Sequence, residues 1–391
     1  MQKKVKITIA PLWGCVVSFF QADGMTSDAE QNGAFMNEHK FPYEWTLKDA
    51  VFTKDKGKVF SCFACGGGST MGYKLAGFDV IGCNEIDPKM MEAYRANHNP
   101  KYSFLEPIQT FKLRDDLPGE LYDLDILDGS PPCSSFSMAG NREKDWGKDK
   151  KFREGQAEQV LDTLFFDFID LAKKLQPKVV IAENVKGLLL GDAQKYVDRI
   201  LTAFDEAGYW VDFKLLDASK MGVPQRRERV FFYAVRKDLY KGQFVDLFGT
   251  RPALDLRFDE KEITYGEIKT EIGRRQSDLY YSRWEQRIES DTNFGDITER
   301  INKTGSCFSD VFAKDYLVMP TITGKGGITD FHNGHYVSDD SFKKAGTYPI
   351  DYNFKDSRVG YLVGMSVPPV MTAQIATRVF EQWIKPIQEK K

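Results

Sequence analysis

The chain has 391 residues, enough for two domains or for one large domain with insertions. Its composition, 42% hydrophobic and 28% charged, is ordinary for a soluble globular protein. The formal net charge of −3 excludes a basic field over the whole chain, although a local basic channel for nucleic acid is compatible with it.

The N-terminal stretch MQKKVKITIAPLWGCVVSFFQADG has the basic start and apolar run of a signal peptide. Pro11 and Gly14 interrupt that run, and no small-residue cleavage site follows Phe20. We therefore expect no signal peptide. No other run reaches about eighteen apolar residues, so we expect a cytoplasmic protein with no membrane span and no membrane partner.

The six cysteines are scattered rather than spaced as a disulfide framework. Cys62 and Cys65 form a C-x-x-C pair in a glycine-rich turn, without a second pair at zinc-site spacing. We interpret both as small packing residues in a reducing compartment. His332 and His335 form an H-x-x-H pair without a third ligand in the sequence nearby, so we expect no metal site.

From Lys58 onward, the sequence alternates buried strands with helices. Strands are predicted at KVFSCFAC, DVIGCNEIDP, YDLDILDGSP, KVVIAENV and RVFFYAVR. Helices are predicted at MGYKLAG, from Pro88 to Asn97, and over EQVLDTLFFDFIDLAKKL. This alternation predicts an α/β fold: a Rossmann-like, doubly wound and mostly parallel sheet that binds ligands beyond the carboxyl ends of its strands.

The alternation stops after Arg236. Residues 237–318 are rich in charged and aromatic residues whose charges nearly balance, which predicts a small separate domain or a large insertion. A helix returns in VPPVMTAQIATRVFEQWI, where Pro368 and Pro369 suit the first turn.

A glycine-rich turn, FACGGGSTMG, follows the first strand and starts a helix. Such a turn lets a ligand approach the backbone and the free N–H groups of the helix. The next strand ends at Glu85, where a carboxylate can accept hydrogen bonds from ribose hydroxyls. The two features predict a cofactor that contains adenosine, and they leave NAD and S-adenosylmethionine open.

A single cysteine, Cys133, follows another strand in DILDGSPPCSSFS. A thiolate is an effective nucleophile, and Pro131 and Pro132 stiffen the turn that presents it. Glu183 lies at a further strand end in IAENVKG. In VPQRRERV, Arg227 and Arg229 occupy alternate positions entering a strand, so both point to one face and suit contact with an anion or a base.

Together these clusters resemble the DNA (cytosine-5) methyltransferases. The matching pieces, in the family's order, are FACGGGSTMGYKLAGF, NEIDP, DGSPPCSSFS, ENVKGL, VPQRRERV and YLVGMSVPP, and they cover roughly residues 58–391. The resemblance implies the class I methyltransferase fold, S-adenosylmethionine as cofactor and double-stranded DNA as partner. It also implies a monomer, of microbial or phage origin. Whether a cognate restriction endonuclease accompanies it stays open.

The resemblance implies a role for each catalytic residue. Cys133 would add to carbon 6 of a flipped-out cytosine, and Glu183 would hold the ring N3 and supply a proton. Arg227 would support the base or its phosphate, with Arg229 in the same set. The residues implied to bind the cofactor are Phe63, Ala64, Gly66, Gly67, Gly68, Glu85, Ile86, Glu106 and Pro131.

The resemblance also divides the chain into four parts: an extension over 1–57 of unknown role, a catalytic domain over 58–236, a target-recognition domain over 237–318, and a return segment over 319–391. The charged loop AGNREKDWGKDKKFREG is expected to close over DNA. The arginines of the target-recognition part that are candidates for contact with bases or phosphates are Arg251, Arg257, Arg274, Arg275, Arg283 and Arg287.

Several positions depart from the family's pattern, and Glu106 stands where the family has an aspartate that contacts adenine. Ser61 stands where the family has an acid, Cys65 where it has a glycine, and Met365 where it has an asparagine. Two alternatives share the same sequence features: an RNA (transfer RNA) cytosine-5 methyltransferase and a catalytically silent DNA-binding relative. A nicotinamide oxidoreductase explains the glycine turn and Glu85, but it leaves Cys133 without a purpose.

Overall fold

A seven-stranded sheet organises the part of the chain that the structure, a computed structural model, describes: residues 39–132, 163–240, 252–303, 310–324 and 327–389. The strand order is β3-β2-β1-β4-β5-β7-β6. Strands β1 to β5 are parallel, and β7 runs antiparallel between β5 and β6. The strands are β1 Lys58–Cys62, β2 Asp79–Glu85, β3 Tyr102–Leu105, β4 Ile126–Gly129, β5 Val179–Val185, β6 Tyr209–Asp217 and β7 Glu228–Arg236. The predicted doubly wound, mostly parallel sheet is confirmed.

Helices cover both faces of the sheet, because successive residues of the central strands are mostly apolar and point to opposite sides. One face packs against α4 and α5, and the other packs against α1 and α11. The helices are α1 Gly68–Leu75, α2 Pro88–His98, α3 Ile108–Phe111, α4 Leu164–Leu175, α5 Gln194–Glu206, α6 Tyr265–Ile268, α7 Asp278–Trp284, α8 Phe294–Asn302, α9 Asp339–Ala345, α10 Val359–Met365, α11 Pro369–Val379 and α12 Lys385–Gln388.

Three details of the sheet differ from the sequence prediction. The first strand ends at Cys62, three residues earlier than predicted, because Phe63 has a φ of 52° and the chain turns there. Strands β3 and β6 were not predicted. They lie at the two edges of the sheet, and their mostly half-buried residues give little apolar alternation.

The region after β7 contains a small sheet and a second apolar cluster. Strands β8 Val311–Ala313 and β9 Ile328–Asp330 pair in parallel. The predicted boundary at residue 318 falls between them, so a division there separates two paired strands. The division into four parts stays a prediction. The cluster beneath this sheet is made of Trp284, Phe294, Ile297, Phe312 and Phe331.

The described end of the predicted N-terminal extension packs against the return segment. Trp45 Nε1 donates to the carbonyl of Thr347 at 3.1 Å, and the N–H of Leu47 donates to Asp351 Oδ1 at 2.6 Å. Residues 39–57 therefore share one compact unit, Glu38–Lys391, with the rest of the described chain.

One helical run among the described residues, Val359–Gln388, is long and apolar enough to cross a membrane. However, 78% of its qualifying window is buried inside the protein. Core helices of globular proteins meet the same criteria, so this run is weak evidence for a membrane span.

Candidate active site

The candidate site lies where the strand order of the sheet reverses. Strands β1, β4 and β5 are neighbours and end at the same edge of the sheet, as parallel strands must. Strand β7 runs the opposite way, so its first residues reach that edge too. Ligands of open α/β sheets bind at such a reversal. The edge brings together four sequence clusters that are far apart along the chain.

In the glycine-rich turn after β1, every second residue has a positive φ angle. Phe63, Cys65 and Gly67 all have positive φ, at 52°, 48° and 90°. A side chain at Gly67 would collide with the ring of His98, and one at Gly68 with the carbonyl of Val367. The turn therefore requires glycine at these two positions, because a side chain at either would overlap with neighbouring protein atoms. At Cys65, where the family resemblance expects glycine, a non-glycine residue adopts the left-handed conformation instead.

Glu85, at the end of β2, holds the glycine turn through its carboxylate. Its Oε2 accepts from the N–H of Cys65 at 2.7 Å, and its Oε1 accepts from the N–H groups of Ile86 and Asp87 at 2.9 Å. Burial raises the pKa of Glu85, and these hydrogen bonds partly oppose that shift. A carboxylate accepts about four hydrogen bonds, so Oε2 keeps an acceptor position for a hydroxyl group.

The remaining residues predicted to contact the cofactor surround this turn. Ala64 is buried beside it, and the carbonyl of Gly66 accepts from the hydroxyl of Tyr352. Glu106 follows β3, next to Glu85 at the end of β2. Its carboxylate binds Arg114 at 3.0 Å, so the side chain already has a cationic partner.

Glu183 and Arg229 form an ion pair, with Oε1 and Nε 3.0 Å apart. Their side chains are 14% and 16% exposed, so the pair is largely shielded and yet reachable from the edge of the sheet. Burial lowers the pKa of Arg229, and the charge of Glu183 partly offsets that shift. A carboxylate held by a guanidinium group in such a place is ready for proton and hydrogen-bond chemistry.

Arg227 has a different environment from Arg229, although the sequence placed both on one face. Its side chain is 2% exposed and donates to two backbone carbonyls, those of Ile322 at 3.1 Å and Gly364 at 3.0 Å. Burial and the nearby Arg229 lower its pKa to about 9. Among the described residues, Arg227 therefore joins β7 to the return segment, and Arg229 contacts Glu183.

Replacing Arg227 with alanine is expected to lower the free energy of unfolding by about 3 kcal/mol or more. The change leaves a cavity and two buried carbonyls without their donors. Urea unfolding followed by circular dichroism measures the effect. Arg226→Ala is the matched control, because Arg226 is exposed and its loss should cost under about 0.5 kcal/mol. An Arg227→Ala protein of unchanged stability would refute this role.

Asn184 and Gln225 are positioning residues whose roles the sequence analysis missed. Asn184 Nδ2 donates to the carbonyl of Pro131 at 3.1 Å and so ties β5 to the loop after β4. Gln225 Oε1 accepts from the N–H of Ile322 at 3.0 Å. Both are buried amides close in sequence to candidate catalytic residues. Asn184 directly follows Glu183, and Gln225 lies two residues before Arg227, so these positions were the available signal.

Cys133 lies outside the described residues, as do the charged loop at 139–155 and Arg251. The described chain reaches Pro132, and the buried Pro131 precedes it. The described chain therefore leaves the sheet after β4, between the glycine turn after β1 and the ion pair at the end of β5.

Curated proteins of similar sequence are DNA methyltransferases. Type II methyltransferase M.FnuDI of Fusobacterium nucleatum is 37% identical over 187 residues, which cover 48% of this chain and 49% of that protein. M.NgoPII of Neisseria gonorrhoeae is 38% identical over 183 residues, covering 46% and 49%. The orphan methyltransferase M.SPRI of Bacillus phage SPR is 34% identical over 169 residues, covering 43% and 34%. The chain thus spans half or less of the length of these curated relatives.

Solved structures of similar fold cover more of the chain. A putative DNA modification methyltransferase encoded within an E. coli prophage has a TM-score of 0.58 at 17% identity, covering 83% of this chain and 99% of that one. The S. pombe Dnmt2 methyltransferase has a TM-score of 0.52 at 15% identity, covering 83% and 98%. At these identities the likeness establishes the fold alone.

A family model covers most of the described chain. The model for the C-5 cytosine-specific DNA methylases matches residues 57–381, a range that includes the glycine turn, Cys133, Glu183 and both arginines. With the sheet order and the clustered site, this match identifies the chain as a member of the C-5 cytosine-specific DNA methylase family.

Proposed function

We propose that this protein transfers a methyl group from S-adenosylmethionine to carbon 5 of cytosine in double-stranded DNA. The observation that carries the proposal is the shielded ion pair of Glu183 and Arg229, next to Asn184, which contacts Pro131 two residues before Cys133 in the sequence. These are the groups that the chemistry needs: a nucleophile, an acid and a cation.

The turn after β1 fits an adenosine-containing methyl donor. The buried carboxylate of Glu85 offers an acceptor for a ribose hydroxyl, and Ile86 and Phe63 lie beside it with apolar surface for a base. The turn opens α1, whose first N–H groups face the same edge of the sheet. When bound there, S-adenosylmethionine supplies an electrophilic methyl group on a sulfonium ion.

In the proposed reaction, the thiolate of Cys133 forms a bond to carbon 6 of the cytosine. The electron pair of the ring double bond then becomes available at carbon 5. Glu183 donates a proton to N3 as electron density grows there, and the guanidinium of Arg229 stabilises the carboxylate that remains. After carbon 5 has been methylated, a base removes its proton, the double bond re-forms, and the carbon–sulfur bond breaks to release the thiolate. N3 returns its proton to Glu183 as the ring becomes neutral again.

The experiment that tests the activity is transfer of a labelled methyl group. The full chain is incubated with labelled S-adenosylmethionine and with duplex DNA or transfer RNA, and the products are digested to nucleosides. Label in 5-methyldeoxycytidine supports the proposal. Label only in 5-methylcytidine moves the assignment to RNA, and label in neither, under conditions where DNA is bound, indicates a silent DNA-binding relative.

The candidate arginines of the target-recognition part differ in the partners that they already have within the protein. Arg257 pairs with Asp255 at 2.7 Å, and Arg275 pairs with Asp278 at 2.6 Å. Arg287 stacks on an indole ring at 3.7 Å. Arg274 and Arg283 lie over tyrosine rings, and no carboxylate of the described chain is within ion-pair distance of either. We propose that these last two contact DNA phosphates.

The double variant Arg274→Ala, Arg283→Ala is expected to weaken DNA binding and to reduce the salt slope of the association constant by about 2, because two phosphate contacts are lost. Fluorescence anisotropy at several salt concentrations measures the slope. The double variant Arg257→Ala, Arg275→Ala is the control, since those guanidinium groups already have carboxylate partners. Equal slopes for the two variants would contradict the assignment.

Further features of the protein follow from the proposal. We propose that it acts as a monomer in a bacterial or phage-infected cytoplasm and that 237–318 contains the target-recognition domain. The type II relatives motivate a test for a cognate restriction endonuclease, whereas the orphan phage relative argues against requiring one. DNA modified by this protein should resist such an endonuclease at the methylated sequence.

A further inference from the structure

A second carboxylate, Asp128, lies in the sheet close to the candidate site. It is the third residue of β4, where its backbone is in register with Ser61 of β1 on one side and Ile181 of β5 on the other. Glu183 follows Ile181 by two residues on β5 and therefore points to the same face of the sheet. Asp128 is 5% exposed, so water contributes little to solvating it.

The carboxyl group of Asp128 joins three elements of the site. Its Oδ2 accepts from the hydroxyl of Ser61 at 2.7 Å, and its Oδ1 accepts from the hydroxyl of Tyr73 at 3.1 Å. Ser61 and Tyr73 flank the glycine turn, one on β1 before it and the other on α1 after it. Asp128 itself lies in β4, three residues before Pro131.

The carboxylate in this part of the site comes from a different strand from the one that the family resemblance implies. The resemblance expects an acid at position 61 on β1, and the chain has Ser61 there. The structure shows a carboxylate in contact with that hydroxyl, supplied by β4. The acidic group is thus supplied by β4 rather than by the strand that leads into the glycine turn.

The surroundings of Asp128 disfavour its negative charge. Burial is the largest cause and the charge of Glu183 adds to it, whereas the hydrogen bonds from Ser61 and Tyr73 oppose it, and the resulting pKa is raised to about 7. No lysine or arginine of the described chain lies within ion-pair distance of Asp128. The nearby cation Arg229 pairs with Glu183 instead. The titratable groups facing Asp128 are Cys62 from β1, Tyr73 from α1, Tyr94 from α2 and Glu183 from β5.

We propose that Asp128 is a positioning residue whose ionised carboxylate couples the elements on either side of the glycine turn to β4, so that protonation of Asp128 weakens cofactor binding. The inference rests on the proposed function for the identity of the cofactor. When ionised, the carboxylate accepts from both hydroxyl groups at once. When protonated, one carboxyl oxygen becomes a donor, so one of the two hydroxyl groups has to change from donating to accepting. Both hydrogen bonds also lose the contribution of the negative charge, so the turn loses part of its support.

The effect is separable from unfolding because the two respond oppositely to pH. The pKa of Asp128 is higher in the folded protein than in an unfolded chain, where it is about 4. Protonation of Asp128 on going from pH 8 to pH 6 therefore favours the folded state, and the destabilisation due to its charge appears as pH rises. A loss of cofactor affinity at pH 6 is then a local effect of Asp128.

The test is calorimetric titration of the full chain with S-adenosylmethionine between pH 6 and pH 8. If only the ionised form supports the turn, the wild-type dissociation constant rises about tenfold from pH 8 to pH 6. Asp128→Asn should remove this difference. The comparison between the two proteins cancels the titration of the ligand's own amino group, and circular dichroism verifies that both remain folded.

A second variant, Ser61→Ala, provides an independent readout. The Ser61 hydrogen bond favours the ionised form, so its removal should move the midpoint of the affinity change to higher pH. A wild-type affinity that is equal at pH 6 and pH 8, or an Asp128→Asn protein that keeps the wild-type difference, would overturn the inference and leave the proposed function intact. Absence of binding by the wild-type protein at every pH would overturn both.

Discussion

Replacing Cys133 with alanine is expected to abolish formation of a covalent complex with DNA and to slow methyl transfer by more than about 10⁴-fold. Without the thiolate, carbon 5 of cytosine stays a poor nucleophile, because nothing adds to carbon 6 to make the ring electron-rich. The measurement uses duplex DNA that contains 5-fluorocytosine together with S-adenosylmethionine. Fluorine cannot leave as a proton does, so the wild-type protein should stall as an adduct that survives denaturation.

The matched control is Cys83→Ala. Cys83 is fully buried in β2, and burial raises the pKa of its thiol, so it is unsuited to nucleophilic attack. This variant should form the adduct as the wild-type protein does. An adduct that persists in Cys133→Ala would disprove the assignment of the nucleophile, and footprinting of the wild-type adduct would give the recognition sequence.

Replacing Glu183 with glutamine is the change with the next largest expected effect, a loss of about 10²- to 10⁴-fold in the rate of methyl transfer. Glutamine keeps the shape of the side chain but carries no acidic proton for N3. It also removes the carboxylate that Arg229 contacts at 3.0 Å, which leaves a buried guanidinium without its charged partner. Single-turnover transfer at saturating DNA and cofactor isolates the chemical step from binding.

The control for Glu183 is Glu228→Gln. Glu228 is an exposed carboxylate at the start of β7 and pairs with Lys186 at 2.7 Å on the surface. Its loss should change the single-turnover rate by less than about twofold, since exposed ion pairs contribute little. If Glu183→Gln retained the wild-type rate while binding DNA normally, proton donation to N3 would have to come from another group.

Much of the site was predictable because its residues stand next to strong local signals. The glycine turn, Glu85 and Glu183 each follow a run of buried apolar residues, and a strand end is readable from the sequence. The carboxyl ends of parallel strands meet at one edge, so placing these residues together required only the fold class. The early end of β1 escaped prediction, because Phe63 takes a positive φ that its residue type rarely adopts.

The separate roles of Arg227 and Arg229 were not predictable. In the sequence they occupy alternate positions where a predicted strand begins, and alternation assigns them the same face. In the structure β7 begins at Glu228, so Arg227 lies just before the strand. Their partners come from distant parts of the chain: Ile322 and Gly364 for Arg227, and Glu183 for Arg229. In the folded protein, the return segment covers Arg227, whereas Arg229 stays in contact with Glu183.

The α/β fold, the order of the chemical clusters and the family could all be inferred from the sequence, because strand periodicity, turns and short-range spacings are local properties of a chain. The pairing of side chains became visible in the folded protein. Asp128 shows the difference: its sequence neighbours suggest an ordinary strand end, yet in the sheet it meets Ser61, Tyr73 and the charge of Glu183. Hydrogen bonding and burial depend on which strands and helices become neighbours, and that arrangement exists only after the chain has folded.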